Sequence, residues 1–268
     1  MIRRAVVAGR FYSASRSNLL AELKSYVPDA PAVEEAIALM VPHAGYAYSG
    51  AVAGVTYAGV KLPHRFVILC PNHTGVGAPI SILSEGEWET PLGRVPIDTE
   101  LAESISRNSL LVQESPLAHR DEHALEVHLP FLQYLLDNDL SFVPISVGTR
   151  RFESLLELGQ ALGKAVQQLS APALLISSSD MNHFESASLT REKDQLAIER
   201  ILALDSEGLR AAIETHAISM CGYGPTVAVI EAARMLGASR GRLVRYSHSG
   251  EINGDSSSVV GYAGLVVS

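Results

Sequence analysis

Three buried-looking apolar strands in this chain each run straight into a histidine. Ala36-Ile37-Ala38-Leu39-Met40-Val41 leads to Pro42-His43, and Phe66-Val67-Ile68-Leu69-Cys70 leads to Pro71-Asn72-His73. Ala173-Leu174-Leu175-Ile176 leads through three serines to Asp180-Met181-Asn182-His183. Outside these strands the apolar residues recur at helical spacing, as at Leu19, Leu20, Leu23 and Val27. Strands alternating with helices favour one doubly wound α/β domain. In such a fold the carboxyl ends of parallel strands share one rim of the sheet, where sites are placed. Residues far apart in sequence can therefore converge there.

The pattern predicts helices over 14–27, 51–60, 99–107, 123–136, 151–169, 188–203, 206–215 and 225–236. Strands are expected over 36–41, 66–70, 80–83, 142–147, 173–178, 243–246 and 257–267. Residues 87–97 look like a hairpin with Pro91-Leu92-Gly93 at its tip. Pro130 either kinks the helix at 123–136 or moves its start. Residues 28–31 read as a linker, too short to force a second domain, so 1–268 is expected to form one unit.

The formal charge of −8 and the absence of a Lys/Arg block argue against a nucleic-acid surface. No run approaches the ~18 apolar residues of a membrane span. The first nine residues are too weakly apolar for a signal peptide. Two cysteines in 268 residues do not make a disulfide scaffold, and a reduced cytoplasmic setting is the default. Cys70 ends an apolar strand and suits a packing role.

His43 taken alone suits a structural turn, since Pro42 stops the ladder and Gly45 allows the bend. His73 repeats the pattern of strand, Pro, His and Gly, and two histidines presented alike suit ligation of Zn, Fe or Cu. Asp180 and His183 are three residues apart, so both can face one pocket. Asp180 then orients a basic imidazole, supports a ligand's tautomer or merely caps the next segment. Cys221 precedes a helix whose positive end favours a thiolate, a soft metal ligand; a buried inert thiol is the commoner fate of a lone cysteine. His123 opens a segment dense in ionisable groups, where facing the pocket and forming a solvated acidic first turn weigh equally. His119 and His128 are taken as structural. Ser177-Ser178-Ser179 lacks the glycines of a nucleophile elbow, and no P-loop or dinucleotide fingerprint occurs.

Together these segments resemble the Memo family (mediator of ErbB-driven cell motility), whose prokaryotic members are called AmmeMemoRadiSam system protein B. The resemblance is carried by Ala8-Gly9-Arg10-Phe11-Tyr12, Val41-Pro42-His43-Ala44-Gly45-Tyr46, Pro71-Asn72-His73 and Glu89-Thr90-Pro91-Leu92-Gly93. It continues through 121–130, Ser179-Asp180-Met181-Asn182-His183, Cys221-Gly222 and Asp255-Ser256-Ser257. It implies a three-layer sandwich with a mostly parallel central sheet flanked by helices, similar to LigB-type class III extradiol dioxygenases. Position by position it implies His43 and His73 as metal ligands, with Cys221 where those dioxygenases have a glutamate ligand. His183 matches their acid/base histidine, with Asp180 beside it, and His123 looks like a second pocket histidine.

The resemblance thus implies a metal-dependent redox enzyme, with Fe or Cu favoured and Zn compatible, acting on a small substrate. The alternative is a non-enzymatic protein that uses the same pocket for a peptide or small acid. AMMECR-like and radical-SAM proteins are the implied partners. A third use of the pocket would make Cys221 a covalent nucleophile with His183 as its base.

Overall fold

The computed structural model describes residues 1–29 and 34–268, so the linker expected at 28–31 extends outside the described residues. The first strands are β1 (Ile2–Arg3), β2 (Ala38–Val41), β3 (Arg65–Pro71), β4 (Ile80–Ile82), β5 (Glu87–Thr90) and β6 (Gly93–Pro96). They are followed by β7 (Gln113–Glu114), β8 (Ser141–Val147), β9 (Ala173–Ser178), β10 (His183–Glu185), β11 (Gly241–His248) and β12 (Val259–Val267). The helices are α1 (Arg16–Tyr26), α2 (Tyr46–Ala58), α3 (Thr99–Asn108), α4 (Pro116–Arg120) and α5 (Leu129–Leu135). Beyond them lie α6 (Phe152–Gln167), α7 (Ala187–Leu202), α8 (Ser206–Thr215), α9 (Tyr223–Met235) and α10 (Gly250–Asn253).

Among the described residues one large sheet runs β10-β12-β2-β9-β3-β8-β4-β7, with β11 also paired to β12. Its centre is parallel: β2 pairs with β9, β9 with β3, and β3 with β8. The strands flanking that block, β12 and β4, are antiparallel to it. The parallel strands end level, with Val41 opposite Ser178 and Leu69 opposite Ser177. This puts the loops carrying His43, His73 and Asp180 on one rim.

The central strands are apolar on both faces because both faces are covered. In β3, Val67 and Leu69 face the cluster containing Leu155, Leu158 and Val227 of α6 and α9. The alternate residues Phe66, Ile68 and Cys70 face Leu19, Leu23 and Tyr57 of α1 and α2. That is the period-2 pattern of a strand buried between helical layers. The second layer also takes in Trp88 and Val95 from a three-stranded sheet, β1-β5-β6. The expected hairpin is there, with Thr90 paired to Gly93, so its loop is Pro91-Leu92.

The helix expected over 123–136 is shorter. Glu126–His128 form a single 3-10 turn and α5 starts at Leu129. Pro130 decides this: lacking an N–H, it is tolerated only in a first turn. The acidic residues ahead of it are not solvated either, since Glu122 and Glu126 are both fully buried. Glu126 accepts hydrogen bonds from the backbone of Val6 and Val7 and from the Tyr12 hydroxyl, and pairs with Arg3. Arg3 stacks over Trp88 at 4.0 Å. One carboxylate thereby ties the amino-terminal segment to the helical layer.

Removing that carboxylate leaves Arg3 buried without its counter-charge. Glu126→Ala is expected to lose about 3–5 kcal/mol in urea unfolding, and Glu126→Gln less. An Ala variant within 1 kcal/mol of the parent would refute this role for the ion pair.

Candidate metal-binding pocket

Beyond the rim, three imidazoles meet. One ring nitrogen from each of His43, His73 and His123 lies within 4.8 Å of the others. His73 and His123 stack with centroids 4.8 Å apart, and His43 meets both edge-on at 5.2 and 5.6 Å. His43 is buried, His123 half-buried and His73 exposed, so the cluster runs from the pocket floor to solvent.

Two of the rings, His43 and His73, are held by Nδ1. The Ser178 hydroxyl, on the last residue of β9, donates its hydrogen to the Ala124 carbonyl at 2.5 Å. Having only one hydrogen, it accepts from its other two partners. These are His43 Nδ1–H at 2.8 Å and His128 Nε2–H at 2.7 Å. His128 Nδ1 in turn accepts from the Tyr57 hydroxyl at 2.8 Å.

For His73 the partner is Glu122. Its carboxylate accepts from the His73 backbone N–H at 2.6 Å and from Nδ1–H at 2.9 Å. Nδ1 of His123 lies 3.4 Å from the same carboxylate oxygen. Burial pushes the Glu122 carboxyl up, but the hydrogen bonds it accepts from His73 and from the Ala124 backbone outweigh that and hold it below the usual range. His183, in β10, donates Nδ1–H to the Ser219 carbonyl at 3.0 Å. With Nδ1 protonated on His43, His73 and His183, the lone pair each has left is on Nε2, whereas His128 carries its proton on Nε2. Burial lowers the pKa of His43, His123 and His183, keeping them neutral near neutral pH.

Asp180 does not pair with His183, nor does it cap a helix. Its Oδ1 accepts the backbone N–H of His43 at 2.8 Å, tying the end of β9 to the end of β2. Burial pushes its carboxyl up to about 6. Cys221 Sγ lies 3.3 Å from His43 Nε2 and accepts the Asp180 backbone N–H at 3.3 Å. Gly222 permits this approach, since a Cβ there would collide with Ser179 and the Ser178 carbonyl. The thiolate expected at this helix end is not favoured: burial and the nearby Asp180 push the thiol up.

Two residues that the sequence did not single out organise the pocket. Glu122 was hidden in a run that looked like a solvated helix start. Ser178 lies in a serine run that in sequence suggests only a nucleophile. The available signal was a polar residue closing an otherwise apolar strand, beside a carboxylate next to a pocket histidine.

A family model described as Memo-like protein matches residues 3–266. A MEMO1 family protein of Methanothermobacter thermautotrophicus is 40% identical, over 99% of this chain and 100% of its own length. Another, from Methanosarcina barkeri, is 42% identical over 99% of this chain and 100% of its own. The crystal structure of an uncharacterized protein from Escherichia coli K12 shares the fold alone. Its TM-score is 0.56 at 14% identity, over 85% of this chain and 98% of that one.

Ser178→Ala leaves two buried N–H groups, on His43 and His128, without an acceptor. The expected loss is about 2–4 kcal/mol in chemical denaturation, with His43 mixing tautomers in 15N spectra; a single unchanged tautomer would contradict the assignment.

The buried histidines also set a pH dependence. Burial drives His119 down to about 4 and His128 down to about 3. Their folded pKa values lie below the unfolded 6.5, so the stability they confer is present above 6.5 and lost as pH falls towards those values. Asp180 and Asp194, raised to about 6 and about 7, act in the opposite sense. With His43, His123 and His183 also lowered, the histidines prevail. The urea midpoint is therefore expected to drop between pH 7 and pH 5; a rise over that interval would overturn the sign.

Proposed function

Because the chain belongs to the Memo family, we propose that its histidine pocket holds a redox-active metal ion and serves a metal-dependent redox enzyme acting on a small substrate. The observation that carries this is the shared tautomer. His43 and His73 each have Nδ1 hydrogen-bonded to protein and Nε2 left as a lone pair, and one ring nitrogen of each and of His123 lies within 4.8 Å of the others. Ligand nitrogens about 2.0–2.1 Å from a common ion are about 3.4 Å apart, so the trio is slightly open and a small inward movement completes it. Neutral imidazoles suit iron, copper and zinc alike. A bound iron or copper ion would supply one-electron exchange.

The chain's own groups supply the rest. Ser178 and Glu122 keep the ligand rings oriented and basic. Cys221, beside His43, offers sulfur as a further donor once its proton leaves, which makes metal uptake proton-releasing. Such a soft donor favours copper over harder ions. His183 handles protons: it is neutral, its Nδ1 is fixed on Ser219, and Nε2 is free to take a proton from a bound substrate.

Protein purified without a chelating tag is expected to carry iron, copper or zinc in near-stoichiometric amount. His73→Ala and His123→Ala are each expected to lose at least about 10-fold in affinity, and Glu122→Gln to weaken binding through His73. Wild-type protein that takes up no metal, yet retains ligand binding that His43→Ala weakens, would replace this with the metal-free peptide or small-acid pocket.

A further inference from the structure

A cavity of about 300 Å³ lies between the amino-terminal segment, residues 1–6, and α4. No residue of the histidine pocket lines it. Its two walls run side by side in the same direction. At one end the Met1 carbonyl accepts the Glu87 N–H at 3.0 Å, and the Ser115 N–H, just before α4, donates to the Ile82 carbonyl at 3.1 Å. Midway, Arg3 Nε donates to the His119 carbonyl at 3.0 Å. At the far end the Val6 N–H donates to Glu126 at 2.8 Å.

That register sorts the lining by chemistry. Ile2 and Leu117 fall at the end closed by Leu83, and Arg4 and Arg120 at the other. Residues two apart on an extended segment share a face, as do residues three apart on a helix. Each wall therefore offers one apolar and one cationic side chain. Ile2 and Leu117 are both exposed, and apolar surface gathered around a concavity marks a ligand site. Arg3 pairs with Glu126 and Arg120 with Asp121, whereas Arg4 pairs with no carboxylate among the described residues. The Arg120–Asp121 pair is exposed, and such pairs contribute little, so it yields to a competing anion. Two guanidinium groups against one carboxylate leave this end positive. His119, also on the wall, is buried with both ring nitrogens unpartnered. The Ser81 carbonyl bears on its charge without completing a hydrogen bond. A native protein seldom leaves a buried imidazole in that state.

We propose that this cavity binds a small monocarboxylate with an apolar chain: the chain lies among Ile2, Leu83 and Leu117, and the carboxylate meets Arg4 and Arg120. The guanidinium fork matches a carboxylate in both charge and geometry. A dry cavity of about 150 Å³ takes benzene, so twice that volume admits a chain of about eight carbons. Arg3 does not take part, because Glu126 and the carbonyls of His119 and Glu122 already hold its guanidinium.

The chain's single tryptophan, Trp88, is buried behind this wall. Arg3 lies over it at 4.0 Å and His119 meets it edge-on at 6.1 Å, so its fluorescence reports occupancy. The full chain, treated with EDTA, is titrated with octanoate, 1-octanol and acetate at constant ionic strength. Octanoate is expected to give a saturable change and to bind about three- to tenfold more tightly than 1-octanol. Acetate, which lacks the chain, is expected to bind about 100-fold or more weakly than octanoate. The double variant Arg4→Gln, Arg120→Gln loses the preference for octanoate over the alcohol, and Arg4→Lys, Arg120→Lys keeps it. Leu117→Glu weakens octanoate about tenfold. All three side chains are exposed, so these variants keep the fold. No saturable response to octanoate, or equal affinity for octanoate and 1-octanol, overturns the proposal. So does a preference that survives in the double Gln variant, or octanoate affinity unchanged by Leu117→Glu. No metal takes part, so the outcome is independent of what the histidine pocket holds.

Discussion

The hydroxyl of Ser178 joins three parts of the molecule through one oxygen. It closes β9, donates to the Ala124 carbonyl and accepts from both His43 and His128. A hydroxyl offers one hydrogen and two lone pairs, and here all three are used inside the protein. That stoichiometry fixes the proton on His43 at Nδ1 and leaves Nε2 to the pocket. It also brings the strand rim and the segment preceding α5 together at the pocket floor.

Two buried carboxylates extend the same logic outward. Glu122 holds His73 by backbone and ring and reaches towards His123. Glu126, four residues on, holds the amino-terminal segment through Arg3, Tyr12 and two backbone N–H groups. Arg3 also donates to the Glu122 carbonyl at 2.6 Å, linking the two anchors. Phe11, carried on the segment Glu126 secures, then meets His123. The pocket wall is therefore set by charges that never contact a ligand. Burial of such groups is costly unless every lone pair is used, and the dense bonding around both carboxylates meets that condition.

Much of the fold was legible because local patterns sufficed for it. The strands at 66–70, 142–147 and 173–178 and the helix at 206–215 follow from periodicity alone, and the structure places them within a residue or so of the expectation. The segment at 123–136 was not legible in this way. Its leucine spacing is helical, yet Pro130 and the buried bonding of Glu122 and Glu126 shorten the helix to α5. β10 was also missed. It is short, and it pairs with a strand some 75 residues away, so no local pattern announces it.

The sequence by itself determined that apolar strands end in Pro-His and Ser-Asp loops, because composition and turn chemistry are local properties. It also carried the family resemblance, which rests on short ordered motifs. It did not determine which histidines meet. His123 joins His43 and His73, while Asp180 turns to the His43 backbone instead of His183. Nor did it tell that Cys221 would be a suppressed thiol, since that depends on burial and on Asp180 beside it. These outcomes follow from the order β2-β9-β3 and from what the loops beyond it bury. Strand order is a non-local choice, and distances across a rim exist only once it has been made.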